Sequence, residues 1–365
     1  MYKIIKHTSK LGFVIAFSLM YTLYLYGFDS GASSGGVGLR IFLKISAVIV
    51  LLTDGLYLKI ERYNLALLVF MILGLFSIIL FLPFYTSRDL QWINQFMIIP
   101  LLFWRPKMSL DEFKRLFTKI FYLWFVIDLI IFYSGRSLWI NEAFVGGVGN
   151  PSSFGLFSIL AIAFGLYDRK YLLLLSGIFG LILSKALMPF LAIIVSFLLI
   201  MNFRTKTVIL SLMLLALINA DAILGLLPMH LEFKIESLIS FIGQGDYKNL
   251  ASIGTRLEFF DSAMHSIGSL DTFLFGKYET NYYYSGDSQW LTYLTSFGVP
   301  LTIVFFIACI VIWHMVISKS KNKAVKVFFL ALFFLFITNR ILDYWPVFLI
   351  VTYLINRTHL ENSYS

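Results

Sequence analysis

The sequence predicts an all-α, polytopic helical membrane protein with about twelve transmembrane helices, and three observations predict it. First, 59% of the 365 residues are hydrophobic and only 13% are charged, with a mean hydropathy of +0.84. A soluble domain carries more charge and interrupts its apolar runs more often. Second, apolar runs recur from one end of the chain to the other, and roughly 20 apolar residues make one span. Third, the lysines and arginines gather in alternate connections, as the positive-inside rule requires.

The apolar runs put spans near 11–28, 41–58, 65–84, 90–104, 117–133, 152–167, 171–184, 186–201, 207–227, 291–317, 326–338 and 343–355. With the N-terminus inside, basic clusters such as Lys3–Lys10, Arg105–Lys119, Arg169–Lys170 and Lys319–Lys326 all fall on the inner face. An even number of spans then returns the C-terminus, with Arg357, to the same side. The apolar stretch Leu11–Phe28, behind Lys3, Lys6 and Lys10, exceeds the core of a secretory signal of about 7–15 residues. It is expected to be an uncleaved first span. One integral membrane domain, residues 1–365, accounts for the whole chain.

The net charge of +9 does not point to nucleic acid, because the basic residues are spread over short loops rather than one face. The single cysteine, Cys309, excludes a disulfide framework. His230, His265 and His314 have no metal-ligand spacing, so neither a metal nor another cofactor is expected.

Two outer loops stand apart, 134–151 and 228–290. The longer one carries two amphipathic stretches, around 231–242 and 255–267, so short helices on the outer face are expected. The shorter one ends in Gly146-Gly-Val-Gly-Asn-Pro-Ser-Ser-Phe-Gly155, which opens a span. Asn150 suits an N-cap and Pro151 the first helical position. Bare backbone N–H groups and the helix dipole would make an anion site there; a tight turn is the alternative. On the inner side, Ser109-Leu-Asp-Glu112 reads as a capping box.

Cations on the outer side oppose the topogenic bias, which makes Arg88, Arg136, Lys185, Arg256 and Arg340 candidate binders of an anionic ligand. Guanidinium groups grip phosphate in a fork, so a cluster of them suits a pyrophosphate; snorkelling to headgroups is the alternative. Tyr282, Tyr283, Tyr284 and Trp290 flank Asp287, as an interfacial belt or as a stacking platform for sugars. Within spans, Asp54 marks an inner boundary, Asp128 is a candidate partner of Lys44, and Asp221 completes the acidic set.

Gly149-Asn-Pro-Ser-Ser at a span entrance resembles the Gly-Asn-Pro signature of the O-antigen polymerase and ligase family. Leu183-Ser-Lys-Ala186 is similar to that family's Ser-Arg element, with Lys185 in place of Arg. Thr255-Arg-Leu-Glu-Phe-Phe-Asp-Ser-Ala263, followed by Leu274-Phe-Gly276, looks like its arginine-bearing outer loop. Asp287-Ser-Gln-Trp-Leu-Thr-Tyr-Leu-Thr-Ser-Phe-Gly298 matches the spacing of a further family element. Ligases carry His at its first position, so Asp287 makes the chain more similar to a Wzy-type polymerase. The resemblance covers residues 145–300.

The resemblance implies a glycosyltransferase of the bacterial inner membrane, working at its periplasmic face. Donor and acceptor would be glycan repeat units on undecaprenyl pyrophosphate, amid membrane lipids, with room for a chain-length regulator as a protein partner. An acceptor hydroxyl attacks the anomeric carbon and the lipid pyrophosphate leaves, through an oxocarbenium-like transition state. On this reading Asp287 is the general base and Arg256 clamps the leaving group. Arg88, Arg136, Asn150, Lys185, Tyr283, Trp290 and Arg340 hold pyrophosphate and glycan. The alternatives are a ligase joining polymer to lipid A core and a flippase or other transporter of lipid-linked oligosaccharide. A transporter predicts paired charges through the membrane and symmetry-related repeats, and the sequence shows neither.

Overall fold

A computed structural model of the chain describes residues 10–17, 34–56, 99–135, 143–144, 150–203, 260–265, 267–276, 288–339, 341 and 345–363, with isolated positions elsewhere. These residues are predominantly helical and include no β-strand, only the isolated bridge between Leu56 and Trp104. The all-α class is therefore correct for the described residues.

Residues 10–17 are helical and are followed by α1 (Ser34–Asp54). The run read as a span at 90–104 ends as a 3-10 helix, Ile99–Phe103, rather than in α-helical form. Pro100 has no N–H to give a ladder, and the bridge from Trp104 to Leu56 draws the chain into extended form. That connection is tied at several points. Arg105 N donates to Gly55 O at 2.7 Å, and Lys107 N donates to the buried carboxylate of Asp54 at 3.1 Å. Asp54, at the end of α1, thus holds the connection that leads into the next helix.

Helix α2 (Leu110–Tyr133) opens on the expected capping box. Ser109 N donates to Glu112 Oε2 at 3.1 Å, and Glu112 N donates to Ser109 Oγ at 3.3 Å. Its buried face is an aromatic stripe of Phe113, Phe117, Phe121 and Phe125, at the i, i+4 spacing that stacks side chains along one side. This stripe meets α3 (Pro151–Tyr167), with Phe117–Phe157 and Phe121–Phe154 ring centroids each 6.3 Å apart. Helix α3 is buried from Ser153 to Gly165 and is the centre of the bundle.

A tight turn with Arg169 at φ 57° leads to α4 (Tyr171–Leu183), which packs antiparallel on α3. Beside the turn, Lys114 Nζ donates to Asp168 Oδ1 at 2.9 Å and lies over the Phe164 ring, so a lysine emerging from the bundle is paired. Helix α5 (Leu187–Ile200) follows; α6 (Leu270–Phe275) lies within the long loop, and after it come α7 (Gln289–Lys319), α8 (Lys323–Thr338) and α9 (Trp345–Ser363). Helix α8 packs on both α3 and α5, and α7 packs on α8 as an antiparallel hairpin. Helix α9 reaches back to the 3-10 segment. Its Asn356 Nδ2 donates to Leu101 O at 3.3 Å and Trp104 O at 2.9 Å, while Tyr353 OH donates to Met108 O at 3.1 Å.

One helix among the described residues, at 290–319 within α7, is long and apolar enough to cross a membrane. Helices α3, α4 and α5 are apolar but shorter, at 17, 13 and 14 residues. The apolar side chains of α7 are not all core: Ile303, Ile307, Ile310 and Val311 are exposed along one side. Leu123, Val126 and Ile130 of α2 and Leu172 and Leu175 of α4 are exposed as well. Apolar exteriors of this extent mark an interaction surface, for a membrane or for another protein.

Replacing Asn356 with Ala takes its donor from the Trp104 carbonyl, while Leu101 O keeps its bond from Trp104 N, and is expected to cost about 1–3 kcal/mol, lowering the thermal unfolding temperature in detergent. Replacing Arg357, whose bond to Glu361 is at the surface, is expected to leave that temperature almost unchanged.

Candidate functional site

The start of α3 follows the predicted capping scheme. Asn150, in extended backbone, accepts at Oδ1 from Ser152 N (2.8 Å) and Ser153 N (3.2 Å), and Pro151 occupies the first helical position. Phe154 N donates to Asn150 O at 3.0 Å. The first-turn donors of the helix itself are therefore all accounted for. Pro151 has none, two go to the Asn150 side chain and one goes to its backbone. What remains for an anion at this helix start is the dipole, together with the glycine-rich residues 145–149, which lie outside the described residues.

The cap also joins two ends of the fold. Ser152 Oγ donates to Asn339 Oδ1 at 3.2 Å, and Asn339 Nδ2 donates to Thr338 Oγ1 at 3.0 Å. Asn339 is buried and closes α8, one residue before Arg340. The turn between α4 and α5 reaches the same end. Phe144 N donates to Leu183 O at 3.0 Å, and the Phe144 and Phe154 rings are 4.9 Å apart. Lys185 sits in that turn, half-buried and at φ 49°. Its neighbour Ser184 donates to Leu181 O and accepts from Ala186 N, which holds the turn in shape. Asn150, Lys185 and Asn339 thus lie on elements meeting at one end of the bundle.

The N-terminal end of α7 is at that end too, because α7 and α8 form a hairpin joined at Ser320–Asn322. Ser288 caps α7, accepting from Leu291 N at 3.4 Å. Part of the long loop docks beside it. Ala263 is buried with Leu291 and Leu294, and the Phe260 and Trp290 rings are 6.1 Å apart. The expected amphipathic stretch near 255–267 is helical at 258 and 260–265. Helix α6 follows, with a Ser269–Thr272 capping box. The ring partner that the structure gives to Trp290 is Phe260. Helix α7 is broken at Gly298 (φ 79°, ψ 177°), two residues before Pro300. Thr302 Oγ1 donates to Gly298 O at 2.7 Å, so a hydroxyl serves the break.

Of the residues assigned to the site from sequence, Asn150, Lys185 and Trp290 lie within the described residues. Arg88, Arg136, Arg256, Tyr283, Asp287 and Arg340 lie outside them, as does most of 231–242. Asp287 directly precedes the α7 cap, and Arg340 follows Asn339. Sequence reasoning did not single out Asn339 or its bond to Ser152; the available signal was an asparagine ending an apolar run. A cavity of about 50 Å³ between α7, α8 and α9, lined by Phe305, Trp313, Phe333 and Phe336, is apolar and not part of this constellation. No family model matches the chain, and no curated protein matches it in sequence.

Asn150→Ala removes the acceptor for two N–H groups and is expected to destabilise the protein by about 0.5–2 kcal/mol, whereas Asn150→Ser retains most of the cap. Thermal unfolding of the detergent-solubilised variants checks the order.

Proposed function

We propose that the chain is a multi-pass inner-membrane glycosyltransferase that polymerises undecaprenyl-pyrophosphate-linked repeat units at the periplasmic face. The observation that most supports this reading is the docking of the loop helix onto the start of α7, with Phe260 against Trp290. Arg256 lies four residues before Phe260, and Asp287 three residues before Trp290. At about 3.3–3.6 Å per extended residue, each candidate is within roughly 15 Å of that contact along its own chain. The start of α3 and the α8 terminus that precedes Arg340 belong to the same end of the bundle. A base, a guanidinium and further cations leaving from one end of an apolar bundle suit transfer of a sugar from a lipid pyrophosphate.

The division of labour follows from charge. The leaving pyrophosphate carries negative charge into the transition state, so Arg256 acts where that charge grows. The acceptor hydroxyl must lose a proton as it attacks, and Asp287 takes it. Lys185 contributes a point charge, and Arg136, Arg88 and Arg340 supply guanidinium forks. Tyr283 and Trp290 offer faces to the glycan. The lipid-linked donor carries its own activation, so the reaction calls for no cofactor. The apolar exterior of α2, α4 and α7 supports the membrane setting, and twelve spans with both termini inside fit the distribution of basic residues.

Two expectations test this. Asp287→Asn should lower polymer formation by about 10²–10⁴-fold and Arg256→Ala by about 10²–10³-fold, with protein still inserted. Lipopolysaccharide ladders from cells carrying each variant read the result, and full-length ladders in both would overturn the assignment. Reporter fusions after residues 150 and 287 should be active on the periplasmic side, and fusions after 170 and 321 on the cytoplasmic side. Activity of all four on one side would refute the topology.

A further inference from the structure

We infer that Gly276 and Gly298 form a reciprocal backbone lock that positions the long loop on the broken helix α7. Gly276 ends α6 at φ 77° and ψ 180°; Gly298 breaks α7 at φ 79° and ψ 177°. Both sit in a region of backbone space that is essentially open only to glycine. Each also has the other's segment pressed against the place where a side chain would begin. A Cβ on Gly276 would lie 2.6 Å from Phe297 N and Ser296 O. A Cβ on Gly298 would lie 2.7 Å from Leu274 O and Phe273 O. The opposing atoms are backbone, so no rotamer change relieves the clash. Backbone therefore meets backbone across the two segments, in both directions.

The contacts around the lock make it directional. On one side Ala263, Leu291 and Leu294 bury together, with Phe260 against Trp290. On the other, the Ser269–Thr272 capping box starts the one-and-a-half turns of α6 that deliver Gly276 to the break. The loop is thus held to α7 at two heights, above the break by side chains and at the break by backbone. The consequence for catalysis rests on the transfer reaction proposed above: Gly276 and Gly298 act as positioning residues for Arg256 and Asp287, without touching substrate.

The lock itself is tested without any assay of transfer. In a Cys309→Ser background, which removes the chain's one cysteine, Ala263→Cys and Leu294→Cys are joined by a short bifunctional thiol reagent in membranes. Gly276→Ala and Gly298→Ala are each expected to lower cross-linking per folded molecule by about tenfold, the effect of one strained left-handed residue on the docked state. Gly177→Ala is the comparison. Its Cβ would meet Ile162 N and Ser158 O at 2.9 Å in the α3–α4 packing, so it strains the fold elsewhere and should leave cross-linking intact. Undiminished cross-linking in both lock variants would overturn the inference, as would an equal loss in Gly177→Ala. Where a lock variant does not fold, hydrogen exchange on the unaltered protein decides. Peptides covering 270–276 should exchange as slowly as those covering 294–300, and rapid exchange of 270–276 alone would refute the lock. A lock that holds in a chain without polymerising activity would refute the proposed reaction and leave the lock standing.

Discussion

The burial of α3 on all sides is the constraint from which the rest of the fold follows. From Ser153 to Gly165 this helix has protein around it, with the aromatic stripe of α2 on one flank, α4 on another and α8 across a third. The ends of a helix leave backbone groups without intrahelical partners, and here they are satisfied locally. Asn150 does this at one end; at the other, Asp168 N donates to Phe164 O and Lys170 N to Gly165 O. The capped start is also where the α4–α5 turn and the end of α8 converge. The position of the candidate site is therefore a consequence of how the central helix begins.

Helix α7 obeys a different rule. It is the longest element, apolar along an exposed side, yet it is interrupted by a glycine in a conformation that no ordinary helix contains. Irregular backbone at membrane depth is tolerated only where protein covers it or a polar cavity receives it. Here the covering element is α6, brought in from the long loop. On the proposed reading of α7 as a span, its break belongs with those that recur where membrane proteins handle charged or polar substrates, because half-helices aim backbone groups and dipoles at one point. Residues 260–265 and 270–276 of the long loop are thereby seated against α7.

Much of this could be read from the residues. The capping boxes at Ser109–Glu112 and the Asn150-Pro151 start are local chemistry, decided within four residues, and the structure reproduces both. Apolar runs set the helices 151–167, 171–183 and 187–200 to within a residue or two of expectation. Elsewhere distant partners decided the local form: the end of the run at 90–104 is a 3-10 helix at Ile99–Phe103, beside the bridge from Leu56 to Trp104. The glycine-rich approach at 145–149 lies outside the described residues; in the helix that follows it, Asn150 takes the N–H groups of Ser152 and Ser153 on its side chain and that of Phe154 on its carbonyl. Candidate residues such as Asn150 were legible because capping leaves a short-range signature. The bond from Ser152 to Asn339 was not, because 187 residues separate its two ends.

Composition and periodicity by themselves determined that this chain is helical, apolar and rich in short basic connections, since those properties depend only on each residue and its near neighbours. The same local reading supplied the caps, while Gly276 and Gly298 were named only through the family resemblance. Tertiary structure alone decided that those two glycines face one another, that Phe260 meets Trp290, and that the ends of α3 and α8 are joined. Such pairings are settled by the packing of segments distant in sequence, where each partner's choice is meaningful only once the other is in place.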